Sequence, residues 1–491
     1  LMFKRLNCLF LALLILISTF SPVLAVDGSN NEIPTVSLEA LQKILASEGE
    51  AAYAEKEIKD YVKEIIPLIE KFTGKKFIKV PQVKLTDRKG MTEVLSKEFT
   101  LQFKNMFPQA SEEEIQAMAL SHAAAFSTTL LGKYSIFEHT VYLMPKNIKP
   151  LFTLLNVDQS NLRPLLKVVI AHELTHALQN QEINLQKLLS LNNIDAIQAY
   201  NAMIEGHAVF VSELIARELG IEKAAIELAR MLSAGAINID DPLMDAANKT
   251  VSAVYEEVYL GGKKFIEYHY QQGGNIRLWQ ILNSPPTQTA MIANPDTYSF
   301  EQTKTKKLDY AAVFKEFNAQ LTEEKWLTQN MEVGTMLLKA AFVKLDKAVQ
   351  DELLNNIEHV QLLMAQKQDS QQSISISLII FNNEGFGLKY LDITDNLVKN
   401  NIQELKASKK YEVKNFFSSN LAGIQSDASR RIFYEIINHA DNSSTTQSAI
   451  RIIRGRVMLE FTFNDNLLTT DEVREIAEQL FLKYEMLQNS N

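Results

Sequence analysis

Cysteine is almost absent: the 491-residue chain has one, Cys8. No disulfide can brace the folded chain, and cysteine nucleophiles and cysteine-bound zinc are excluded downstream of that residue. There is no internal repeat and no nucleotide-binding glycine loop. Excess positive charge is also missing. Fifty Lys and Arg stand against 59 Asp and Glu, for a net charge of -9. This balance argues against nucleic acid or an anionic membrane as the main partner. Beyond the first 25 residues, no segment is long and apolar enough to span a bilayer.

The composition, 46% hydrophobic and 22% charged, suits a folded protein rather than a disordered or fibrous one. The length suits two or three domains. Residues 1–25 have the pattern of a secretory signal. Lys4 and Arg5 form a basic start, Leu9 to Phe20 is an apolar run, and Val23-Leu24-Ala25 offers a cleavage site. The expectation is export to the periplasm or the extracellular space, with an uncleaved membrane anchor as the alternative. Removing the leader would shift the net charge to about -11.

Periodicity and turn residues divide the rest. Residues 26–50 are polar and read as a loose terminus. Helices are expected at 51–72, 90–104 and 112–130, with Ser111 and Glu114 as a capping box. Phe77–Leu85 reads as an edge or broken strand because of Pro81, and Ile136–Leu143 as a second strand. A helix from about Leu162 to Gln181, with Asn161 as its cap and Pro164 in its first turn, precedes another from about Asp195 to Leu219, ended by Gly220. Helices at 222–233 and 242–271, a turn at Gly273-Gly274 and a proline-rich loop at 284–298 complete a domain spanning 26–335. A second domain, 336–491, is expected to be mixed α and β. It has a long helix at 333–367, a strand at Ser373–Phe381, helices at 393–407 and 424–439, and a polar loop at 441–447. A strand at Arg456–Phe463 and a terminal helix with Thr469 and Glu472 as capping box complete it.

The chemistry concentrates in His172-Glu173-Leu174-Thr175-His176. On a helix, imidazoles four residues apart lie on one face, where both can reach one ion. Zinc at catalytic sites commonly takes three protein ligands and keeps a position for water. The surrounding residues, Leu165, Leu166, Val168, Val169, Ile170, Leu174, Ala177 and Leu178, are apolar. Adjacent buried histidines need polar partners, and a metal is the simplest shared one. The alternative is a pair of hydrogen-bonded core histidines. Glu173, beside the first histidine, can take a proton from the metal-activated water. Glu205, in Glu205-Gly206-His207-Ala208 on the next helix, is the candidate third ligand, with small neighbours that allow close helix approach. His207 is the rival; two positions away, it points elsewhere. Glu213 shares the Glu205 face and can orient a ligand imidazole or lie at the surface.

With His172, Glu173, His176 and Glu205 in place, the chain resembles the gluzincin zinc metallopeptidases over roughly residues 70–300. A softer pattern resembles secreted bacterial zincin-like proteins: Tyr259, Gly262, Phe265, Gly273-Gly274, Pro285-Pro286, Thr289, Pro295 and Tyr298. This chain has Asn294 where that pattern places a histidine. The resemblance implies an α+β, zincin-like catalytic domain. Its active-site helix would lie beside a mixed sheet whose edge strand pairs with substrate, with Ile136–Leu143 as the candidate strand. It implies one catalytic Zn2+, a peptide or protein substrate, and a Tyr or His that stabilises the attacked oxygen. Tyr259 is favoured over Tyr255, His269 and His139. The implied function is peptide-bond hydrolysis by metal-activated water with Glu173 as general base. The alternative is an inactive zincin-scaffold protein with a binding or chaperone-like role. Oligomeric state is left open.

Overall fold

A computed structural model describes residues 35–489, except 109, 155–156, 231–237, 301–307, 368–369, 371, 422–425 and 465–466. The expected leader, with Cys8, lies outside the described residues. The chain forms two compact units. Among the described residues, one takes 35–240 and 244–304, and the other takes 241–243 and 305–489.

The first unit is mainly helical. In chain order its helices are α1 (Leu38–Ala46), α2 (Glu55–Thr73), α3 (Arg88–Met106), α4 (Glu112–Ser127) and α5 (Ile148–Leu154). Then come α6 (Leu162–Ile183), α7 (Ile194–Glu218), α8 (Glu222–Arg230), most of α9 (Pro242–Glu256), α10 (Gly262–Asn283) and α11 (Thr289–Ala293). The short strands β1 (Thr35–Val36) and β5 (Asn238–Ile239) pair in parallel. Residues 35–46 therefore hold a strand and a helix where a loose terminus was expected. Local signals set several boundaries. Ser111 and Glu114 form the full capping box of α4, and Gly74 at φ 68° ends α2. Gly273 and Gly274 have non-helical backbone, with Gly274 at φ 58°, and divide Gly262–Asn283 into two helical segments at the expected turn. The proline-rich stretch 284–298 is not all loop, because α11 and a 3-10 turn at Pro295–Thr297 lie within it.

A three-stranded mixed sheet stands beside α6. It is built from β2 (Gln82–Leu85), β3 (Gly132–Ser135) and β4 (Thr140–Leu143), in the order β2-β4-β3. β2 runs parallel to β4 and β3 antiparallel to it. The expected single strand Ile136–Leu143 is corrected. Residues 136–139 form a turn with His139 at φ 47°, β4 is the central strand, and β3 is the edge that packs on α6. Glycine or asparagine usually marks such a left-handed turn position, so His139 gave no signal.

The second unit is built on a seven-stranded antiparallel sheet. Its strands are β6 (Trp326–Glu332), β7 (Ile357–Lys367), β8 (Ser373–Phe381), β9 (Tyr411–Asn420), β10 (Ala428–Asn438), β11 (Ser444–Arg454) and β12 (Val457–Asn464). They are ordered 6-7-8-12-11-10-9. The sheet thus takes in residues ahead of 336. One apolar layer joins Ile374, Ile376, Leu378, Leu459 and Phe461 to helix α12 (Lys315–Glu323) and to the terminal helix. The other joins Ile379, Phe381 and Met458 to α13 (Thr335–Ala341), α14 (Lys347–Asn356) and α15 (Phe386–Ala407). The terminal helix α16 (Thr470–Asn489) has its expected capping box.

Two helix expectations fail here. Residues 333–367 are two short helices followed by β7, and 424–439 contains β10. β7 is covered on both faces, so it lacks strict alternation and reads like a buried helix. The expected polar loop 441–447 already contains the start of β11.

Candidate metal centre

α6 opens after a 3-10 turn capped by Asp158, with Pro164 in its first turn. Asn161 sits at the cap position, but its side chain makes no capping bond. α6 ends at Asn184, which is left-handed at φ 55°. The side chain of Asn193 caps α7 through Ala196 N–H at 2.8 Å. α7 is buried around nearly its whole circumference, as expected for a helix packed between α6 and α10.

These two helices bring three ligand atoms together. His172 Nε2 and His176 Nε2 lie 3.0 Å apart. Glu205 Oε2 is 3.0 Å from the first and 3.3 Å from the second. Neighbouring corners of a tetrahedral zinc shell with nitrogen and oxygen ligands are separated by about 3.3 Å, so this spacing matches one face of such a shell. Among the described residues, His172, His176 and Glu205 are the group of this kind that can hold a metal.

Orphaned atoms support the fit. Among the described residues, Glu205 Oε1, Glu173 Oε1 and His172 Nδ1 are buried without a hydrogen-bond partner, a costly state unless something charged or polar engages them. His172, His176, Glu173 and Glu205 are each at most 1% exposed, so their mutual electrostatics act in a low dielectric. Burial lowers the His172 pKa, ahead of the opposing pull of Glu205. Burial also pushes His176 down, but the Glu205 and Glu173 charges override it and raise its pKa. Burial pushes the Glu205 carboxyl up, and the two histidines more than offset this, holding it at about 2.

Glu173 is held by the sheet. Its Oε2 accepts a 2.6 Å bond from Tyr134 N–H on β3. Burial raises its pKa to about 7, against the lowering influence of His176 and Lys133. The approach is close: a Cβ on Gly132 would stand 3.3 Å from Glu173 Cγ. Lys133, buried beside it, pairs with Glu98 at 3.0 Å and donates to Tyr134 C=O at 3.1 Å.

Tyr259 lies in a π turn, Glu257–Gly261, a helix irregularity common at functional sites. Its ring centroid is 6.3 Å from that of His172, and Tyr255 stacks on it at 6.3 Å. His207 is not a ligand. It meets Gln179 at 3.0 Å and the Trp279 ring at 5.4 Å. Glu213 pairs with Lys263 at 2.6 Å rather than orienting an imidazole. His139 meets Tyr134 Oη at 3.0 Å in its turn. His269 is enclosed by Phe265, Tyr268 and Tyr298, with neither ring nitrogen hydrogen-bonded among the described residues. Asn294 is exposed, and its amide donates to Ala290 C=O.

Three contributors were missed from sequence: Gln179, Lys133 and the β3 N–H of Tyr134. Gln179 alone left a signal, as a polar side chain one turn past His176 in an apolar helix.

No family model matches the chain, and no curated relative does either. A solved structure from Chloroflexus aurantiacus, provisionally described as a hydrolase with a novel fold, is similar at 17% identity and TM-score 0.40. The match spans 55% of this chain and 97% of that one, a likeness too low to assign fold or activity. The site therefore stands on its own geometry. His172, His176 and Glu205 form a zincin-type, zinc-competent cluster, and with Glu173 they are suited to hydrolysis by metal-activated water.

Proposed function

We propose that this protein is an exported zinc peptidase of the gluzincin kind, which hydrolyses peptide bonds in a peptide or protein substrate. The observation that carries the reading is the placement of Glu173. Its carboxylate is anchored through Oε2 and has Oε1 unpaired among the described residues, on the same helical turn as two converging imidazoles.

A zinc ion held by His172, His176 and Glu205 would polarise the scissile carbonyl and make water acidic enough to ionise near neutrality. Glu173 Oε1 takes the proton of the attacking water and passes it to the departing amine nitrogen. Burial, which raises this carboxyl above its ordinary range, favours its acting as both proton acceptor and proton donor. Tyr259, against His172, supplies a hydroxyl for the developing oxyanion. Export is supported by Lys4, Arg5, the apolar run and the Val23-Leu24-Ala25 site. No described helix is long and apolar enough to cross a membrane.

The burial of all four central side chains favours one alternative, a zincin scaffold that binds partners without cleaving them. Assay of a broad peptide library with wild type and Glu173→Gln, with zinc content measured in both, separates the readings. Peptidase action predicts cleavage by wild type and a loss of about 100-fold or more in the variant, with zinc retained. Zinc without wild-type cleavage supports the binding scaffold. Absence of zinc contradicts both.

A further inference from the structure

Gln179 is fully buried in α6, one turn beyond His176. Its amide orientation follows from its neighbours. Nε2 lies 2.9 Å from Ile204 C=O, an atom that only accepts, so the NH2 group must be on that side. Oε1 then faces His176 Nδ1 at 2.8 Å, and that nitrogen must be the donor. The second amide hydrogen points to His207 Nδ1 at 3.0 Å, which accepts. His207 is braced by the Trp279 ring.

We infer that Gln179 is a positioning residue for the metal ligand His176. It keeps the ring proton on Nδ1, leaves the Nε2 lone pair facing Glu205 and His172, and ties the imidazole to the α7 backbone. The inference rests on the metal-site reading above. The two ligand histidines are thereby held unequally, because His172 Nδ1 has no partner among the described residues. Outer-shell partners of ligand histidines are often carboxylates, which make the imidazole more basic. Here a carboxylate would place two acceptors, Ile204 C=O and His207 Nδ1, against a group with nothing to donate. The neutral amide satisfies all three neighbours and makes His176 a weaker electron donor than a carboxylate partner would.

The test uses the full chain with 15N-labelled histidine, loaded with zinc, together with Gln179→Leu. In wild type, His176 should coordinate through Nε2 and show a slowly exchanging proton on Nδ1. In Gln179→Leu, that proton should exchange faster. Zinc affinity, measured by chelator competition, should fall about 10- to 100-fold while the circular dichroism of the zinc-free chain is unchanged. Coordination through His176 Nδ1 in wild type, or wild-type affinity in Gln179→Leu, overturns the assignment. The wild-type spectrum decides even if the variant fails to fold. A wild type that binds no zinc overturns the metal-site reading and this inference together. Peptide cleavage is not a readout, so failure of the peptidase reading is distinguishable from failure here.

Discussion

Gly206 on α7 and Gly262 at the start of α10 meet backbone to backbone. A Cβ on Gly206 would lie 2.1 Å from Gly262 C, and one on Gly262 would lie 1.9 Å from Ala202 O. The crossing presses the π turn that carries Tyr259 against the helix that carries Glu205. Gly206→Ala gains about 1 kcal/mol of helix propensity, but the added carbon strikes backbone that cannot turn aside. The net effect should be a loss of roughly 1–3 kcal/mol in denaturant unfolding. An unchanged midpoint would contradict the crossing.

The Lys133–Glu98 pair sits within β3 and α3 at 3.0 Å, with both side chains almost wholly buried. Removing one partner leaves a buried charge uncompensated, at about 3–5 kcal/mol. Glu98→Leu and Lys133→Met should each destabilise by that order. The double replacement Glu98→Leu with Lys133→Met should cost clearly less than their sum. Additive losses in a double-mutant cycle would show that the two do not interact.

His122 is packed edge-on against Phe99 and Phe103 at 5.6 and 5.5 Å. Burial lowers its pKa from 6.5 to about 3. The unfolded chain therefore takes up a proton as pH falls below 6.5, while the native chain resists until about pH 3. Stability must drop across that window, and the contribution of His122 is about 5 kcal/mol over its full width and about 3 kcal/mol by pH 4. His122→Leu should flatten part of this acid limb in urea unfolding between pH 7 and 4. A limb as steep as that of wild type would contradict the assignment.

Tyr259→Phe keeps the ring beside His172 and removes only the hydroxyl. If Tyr259 steadies the oxyanion, kcat should fall about 100-fold with zinc content unchanged. An unaltered kcat would move that role to another group.

The elements legible in sequence are those set by near neighbours. Ser111 with Glu114 and Thr469 with Glu472 announce helix starts within four residues. Ser373–Phe381 alternates because only every second side chain faces each layer. The motif helix and Glu205 were legible for the same reason: i,i+4 spacing and small flanking residues are local facts. The failures involve long-range pairing. β10 is defined by partners on β9 and β11 that its own residues, Ala428–Asn438, do not reveal. β3 was hidden because its role, presenting the Tyr134 N–H to Glu173, depends on a residue 39 positions away.

The central claim is that His172, His176 and Glu205 hold one ion together. Elemental analysis of purified wild type, Glu205→Ala and His176→Ala, each exposed to zinc and then dialysed, tests it most directly. About one zinc per wild-type chain and almost none in either variant is the predicted result. Zinc-free wild type, or a Glu205→Ala chain that keeps its full zinc complement, would contradict it.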